Sequence, residues 1–364
     1  MVENIALTAV SLWVSTVPTT IFRGRLAAAI ENDHLRVTVL QEGGHIAEIF
    51  DKSTGVSPLW IPPWPSIEPS SYDPSKHPEY GADSEAKLLG GIMGHNLCLD
   101  FFGGPSAEEA AAGLTVHGEG SVVPYEITER DGILISKAHF PLAQLHFERS
   151  IELRDRGLKI RESVQNLAAW DRPIGWTQHV TLGPPFVEKG ITQLRASVTR
   201  SKVSEVDFGA DMHLKQGAEF DWPMAPLSAG GVADLRTLSA APASSEYTSH
   251  LGDRQRRDEF FIAFSPAFRL ALAYIWKRAD FPWLGMWQEN CSRKTPPWNG
   301  RTITLGLEFG VSPVPESRRQ MVDRSRLFDV PTYRWIPAKG RLEAEYWALT
   351  QTAEHIPESI IWPE

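Results

Sequence analysis

The stretch IGWTQHVTLGPPF, residues 174–186, decides how this chain is read. It alternates with a period of two, as a strand does. Ile174, Trp176, Gln178, Val180 and Leu182 share one face; Gly175, Thr177, His179 and Thr181 share the other. The first face is mostly apolar and suits a core. The second is small and polar, with one imidazole among short neighbours. His179 on such a face can exchange a proton with a molecule held above the sheet. The same position also suits a hydrogen-bonded histidine on a solvated face, so the strand alone leaves both readings open.

The chain around it is β in character. Upstream, Leu35, Val37 and Val39 alternate with Arg36 and Thr38, Gly43-Gly44 turns, and His45–Phe50 returns as a hairpin. Leu145–Leu153 and Leu158–Val164 alternate again on either side of the turn Asp155-Arg156-Gly157. Long strands with short turns from Ser121 to Leu182 predict an antiparallel meander, with His139 and His146 on a solvated face. Downstream, Thr302–Phe309 reads TITLGLEF, with Ile303, Leu305, Leu307 and Phe309 on one face and Thr302, Thr304, Gly306 and Glu308 on the other. Residues 190–258 read as less regular. Ser106–Glu109 is a capping box with Gly113 as its stop, and a short polar helix is expected near Glu316–Arg326. The expected fold is an all-β, large antiparallel β-sandwich with a few short helices. It forms one domain over residues 1–364, with its core at about 30–315 and a C-terminal extension at 316–364.

Composition narrows the function classes. The 364 residues are 42% hydrophobic and 22% charged, which is ordinary for a globular chain with a large core. The net charge of −9 and the absence of a basic stripe argue against nucleic-acid binding. Cys98 and Cys291 form no CxxC pair. The apolar patch Ile5–Val17 lacks a basic leader and makes a poor signal peptide, and no apolar run reaches the ~20 residues of a membrane helix. A cytoplasmic location and no membrane partner are therefore expected. No GxSxG elbow, P-loop or dinucleotide fingerprint is present.

Other segments point toward the same face. If the Thr302–Phe309 and Ile174–Leu182 strands share a sheet, with their apolar sides on a second sheet, His179 and Glu308 look out from one surface. Gly306, two residues before Glu308, marks a place of close approach. Leu88–Gly104 carries five glycines and the pair His95-Asn96, and Val116–Gly120 places His117 before Gly118. The Trp60–His77 segment, rich in Pro and aromatics, reads either as an inert surface excursion or as a loop that carries Trp60, Trp64 and Tyr72 to a pocket rim.

This order of features resembles the aldose 1-epimerase (galactose mutarotase-like) superfamily. The matching pieces are Gly43-Gly44-His45-Ile46, His117-Gly118, His179 in TQHVTLGPPF and Glu308 in LGLEFGVSP. The resemblance spans roughly residues 30 to 315 and implies a sandwich that binds a small-molecule sugar on its concave face. It further implies a mutarotase that opens a cyclic hemiacetal by acid–base chemistry, with Glu308 as base and His179 as acid. His117 assists at the ring oxygen; His95, Asn96 and Trp287 contact hydroxyls or stack on the ring. No cofactor and no metal are expected. The chain departs from the family after His179, where Val180-Thr181-Leu182-Gly183 replaces an aromatic residue. It departs again after His117-Gly118, where Glu119 and Ser121 stand in place of an arginine. These departures bear on the substrate and suggest a divergent branch.

Three rivals follow from the same residues: a non-catalytic carbohydrate-binding or regulatory sandwich, a glycan-cleaving enzyme using Glu289 and Glu308, and a metal site of His95, His117, His179 and Glu308. The last has no HxH or HExxH spacing to support it.

Overall fold

The structure is a computed structural model describing residues 19–209, 211–360 and 362–363. The patch Ile5–Val17 lies outside the described residues. The alternating sequences form two large antiparallel sheets, one of twelve strands and one of eight. In the larger sheet, His95–Asp100, Arg172–Leu182, Ile303–Gly310, Trp283–Asn290 and Ser244–Gly252 lie side by side in that order. The expected hairpin is present as Leu35–Leu40 and Ile46–Asp51, with a register shift at Thr38/Val39.

The faces fall as the alternation requires. Ile174, Trp176, Val180 and Leu182 enter the core between the sheets, as do Leu305, Leu307 and Phe309. Across the interface, Trp276 stacks on Phe309 with ring centres 4.3 Å apart. Gln178, the one polar residue on that face, donates to Glu162, which also accepts from Arg149, Trp176 and Tyr346. A buried ion pair is tolerated only when its remaining hydrogen bonds are made, and here they are.

Three expectations change. The meander holds for Glu126–Arg130, Ile133–Phe140, Leu145–Arg154 and Gly157–Asn166, but Arg172–Leu182 crosses to the other sheet. The region 190–258 contains Ser244–Gly252, a buried nine-residue strand whose small polar side chains hid it. The segment 316–364 is more than an extension. Arg341–Thr352 lies inside the smaller sheet, between Leu270–Lys277 and Gly157–Asn166. Its Ala344, Tyr346 and Ala348 fill the core, so the core extends well past residue 315.

The two expected short helices carry their caps, whereas a third, Ala86–Leu89, has no side-chain cap. Ser106 caps Ala107–Ala111 with Glu109 in a full capping box, and Ser317 with Gln320 does the same for Arg318–Arg324. His139 is exposed and His146 half-buried, on the outer face of the smaller sheet. Among the described residues no helix is long and apolar enough to cross a membrane.

Candidate active site

The sheet places His179 and Glu308 directly opposite each other on adjacent strands. Both point away from the core. That face is not open to solvent: His179 is 5% and Glu308 2% exposed, because the segments around 57–94 and 101–124 cover it. Nε2 of His179 lies 3.0 Å from Oε1 of Glu308, and Nδ1 of His179 lies 3.0 Å from the Thr181 hydroxyl. The contact to Glu308 is close but poorly aligned, and Oε1 keeps no hydrogen-bond partner of good geometry. Oδ1 of Asn96 and Oγ1 of Thr177, on the same face, are also buried without partners. Orphaned polar atoms concentrated on one face mark a place where a polar molecule fits.

Glycine makes room for the carboxylate. A Cβ on Gly306 would lie 2.5 Å from Oε1 of Glu308 and 3.1 Å from Cβ of Trp287. His117 reaches the site by an unusual route. It and Gly118 both have left-handed φ, 68° and 78°, and a Cβ on Gly118 would strike the Leu99 carbonyl. The turn sets the two imidazoles with ring centres 5.1 Å apart. Nδ1 of His117 accepts from the Gly103 N–H, which leaves Nε2 as the protonated nitrogen of the neutral ring. Trp287 stands edge-on to His179 at 5.8 Å.

Burial decides the charges. It lowers the His179 imidazole from 6.5 to about 4 and holds His117 well below the ordinary histidine value. It raises the Glu308 carboxyl from 4.5 to about 8. At neutral pH the pair is therefore a carboxylic acid beside a neutral imidazole, one able to give a proton and the other to take one.

Above the pair is a cavity of about 250 Å³. His117, His179, Glu308 and Trp287 all line it, so four of the six residues expected at the site converge there. The other two do not line it. His95 is registered with Val180 and so faces the core, where it meets Gln178 at 3.0 Å and the Tyr274 hydroxyl at 3.2 Å. Period-two alternation puts it on the wrong side of the sheet, which also breaks up the four-residue metal set. Among the described residues no three His, Cys, Asp or Glu side chains could hold a metal ion. Asn96 is on the right face, registered with His179, but donates to the Ser121 hydroxyl beneath the covering segment.

Glu289 is no partner for Glu308. It is registered with Thr304, four residues along from Glu308, or roughly 13 Å at strand rise. It accepts from the N–H groups of Ser292 and Arg293 and holds that turn. With its carboxylate held in that turn and outside the cavity lining, it does not face Glu308 across a bound ring as a glycosidase's second acid would. Trp60 and Trp64 sit one layer behind the cavity, packed on Trp298, which lines it. Tyr72 is tied to the Gly81 carbonyl. Glu119 accepts from the Leu142 and Ala143 N–H groups, away from the cavity.

Several lining residues escaped the sequence reading. Tyr247 enters from Ser244–Gly252, where Gly285 leaves space for its hydroxyl. Phe102 stacks on His117 at 5.6 Å. Trp298 and Arg293 come from the turn that Glu289 holds. Only the Gly103-Gly104 signal, a place of close backbone approach, hinted at Phe102.

No protein-family model matches the chain, and no curated protein matches its sequence. Solved structures do. A Klebsiella pneumoniae protein provisionally assigned as an aldose 1-epimerase superposes with a TM-score of 0.66 at 14% identity, over 91% of this chain and 80% of that one. A galactose mutarotase-like protein from Clostridium acetobutylicum gives 0.58 at 14% identity, over 94% and 99%. A galactose mutarotase related enzyme from Lactobacillus acidophilus gives 0.55 at 12% identity, over 91% and 99%. With two antiparallel sheets in this order and matches across nine-tenths of its length, the chain has the galactose mutarotase-like β-sandwich fold.

Proposed function

We propose that this chain binds a small sugar in the cavity and interconverts its anomers. The observation that carries the reading is the registered His179–Glu308 pair, buried, 3.0 Å apart and facing a cavity sized for one small molecule. Opening a cyclic hemiacetal removes a proton from the anomeric hydroxyl and gives one to the ring oxygen. The two oxygens share a carbon, so two proton carriers 3.0 Å apart can serve both.

In the resting pair, Nε2 of His179 accepts the anomeric proton and the Glu308 carboxyl donates to the ring oxygen. The C1–O5 bond breaks and the aldehyde forms. The pair is now imidazolium and carboxylate. After the aldehyde rotates, Glu308 takes the proton back from the O5 hydroxyl, O5 attacks C1, and His179 protonates the new anomeric oxygen. Glu308 as base and His179 as acid, the roles implied by the resemblance, thus describe the closing half; burial sets the opening half the other way round. His117, with Nε2–H as its donor, steadies the developing charge at the ring oxygen. Each positioned proton carrier contributes roughly 10²–10⁴-fold.

The test is Glu308→Gln, which keeps the shape but not the proton. Anomer exchange followed by polarimetry should fall to the buffer rate. A variant as active as the parent would refute the assignment.

A further inference from the structure

The cavity lining is mostly apolar, with two charged residues, Glu85 and Arg293, besides the His117, His179 and Glu308 cluster. His117, His179 and Glu308 stand together at the floor. The walls around them are Leu88, Leu89, Ile92, Val116 and Phe208, with Trp287 and Trp298 closing the sides. Of the other polar groups lining the cavity, the Tyr247 hydroxyl proton, the Gly103 backbone and the Arg293–Glu85 pair already have protein partners. The Tyr247 hydroxyl donates to the Pro313 carbonyl at 2.8 Å. The Gly103 N–H and C=O are both taken by His117. Arg293 meets Glu85 at 3.2 Å, approaches Glu289 at 3.5 Å, and lies over Trp298 at 4.8 Å. One cation between two carboxylates leaves no net positive charge for an anion.

A free hexose with its anomeric carbon at the His179–Glu308 pair would set most of its remote hydroxyls against hydrocarbon, with only the already paired Arg293 and Glu85 to meet them. Each buried hydroxyl left without a partner weakens binding. A phosphate would fare worse, beside two carboxylates. We infer that the substrate is a deoxygenated sugar, a cyclic hemiacetal that keeps its oxygens near the anomeric carbon and presents an apolar far side to Leu88, Leu89, Ile92 and Val116. This inference rests on the mutarotase reading above and names its substrate class. The volume of about 250 Å³ limits the ligand to one such ring, below the ~300 Å³ where drug-sized sites begin.

The experiment compares kcat/KM for anomer exchange of galactose, its 6-deoxy analogue, its 3,6-dideoxy analogue and glucose 6-phosphate, each corrected for its own buffer rate. The expected order is dideoxy over deoxy over galactose, rising about tenfold for each remote hydroxyl removed, with glucose 6-phosphate last. Equal or better turnover of galactose or glucose 6-phosphate would overturn the deoxygenated class while leaving the mutarotase reading intact. No acceleration of any of the four would overturn both.

Discussion

At the residue scale, burial gives Glu308 and His179 their reactivity and makes them costly to the fold. The Glu308 carboxyl titrates near 8 when folded and 4.5 when exposed. Between those values the folded protein keeps a proton that the unfolded chain releases, so this group's contribution to stability falls as pH rises from about 4.5 and levels off above about 8. His179 acts in the opposite window: the unfolded chain gains a proton below 6.5 that the folded protein refuses until about 4, so stability falls as pH drops through that range. Glu308→Gln removes the first penalty. Thermal melts should show the variant more stable than the parent at pH 8, by about 1–3 kcal/mol, and nearly equal at pH 4.5. The pH–rate profile of the parent should be bell-shaped, falling below about 4 and above about 8, both limbs belonging to the pair. Gly306→Ala tests the space beside the carboxylate: the added Cβ, 2.5 Å from Oε1, should displace Glu308 and lower kcat at least tenfold in a folded protein.

At the element scale, the two strands that carry His179 and Glu308 were legible and three others were not. Ile174–Leu182 and Thr302–Phe309 alternate cleanly because one face packs on a core and the other lines a cavity, and register then makes His179 and Glu308 neighbours. His95 was misplaced because HNLCLD reads as part of a glycine-rich segment; taken as a strand, it alternates, and Leu97 and Leu99 carry His95 to the core face. Ser244–Gly252 is buried on both faces with small polar residues, and so resembled a loop. Arg341–Thr352 mixes Ala and Glu, helix formers, with Trp347 packed on the outer face beside Ile275, which blurs the period. Deleting residues 341–364 should therefore split the smaller sheet, expose two strand edges and leave no cooperative melt. A truncated protein that still melted cooperatively would return that segment to the status of an extension.

At the scale of the whole molecule, the sheets are joined by a polar knot as well as by apolar packing. Arg149 pairs with Glu162 at 2.7 Å and also donates to the Gly44 carbonyl in the early hairpin. Arg149→Met leaves Glu162 buried without its cation and should cost about 3–5 kcal/mol in urea unfolding. The cavity is also a whole-molecule feature. Its floor could be read from two strands, but its walls come from the covering segments and the 291–298 turn, whose positions no local pattern encodes.

The central claim is that one buried acid–base pair opens a sugar ring. Its most direct test is the anomer-exchange rate of 6-deoxygalactose at neutral pH, measured by polarimetry with the parent, Glu308→Gln and His179→Ala. The account expects the parent to accelerate exchange well above buffer and both variants, shown folded by their melts, to fall to the buffer rate. A parent no faster than buffer, or a variant as fast as the parent, would contradict it.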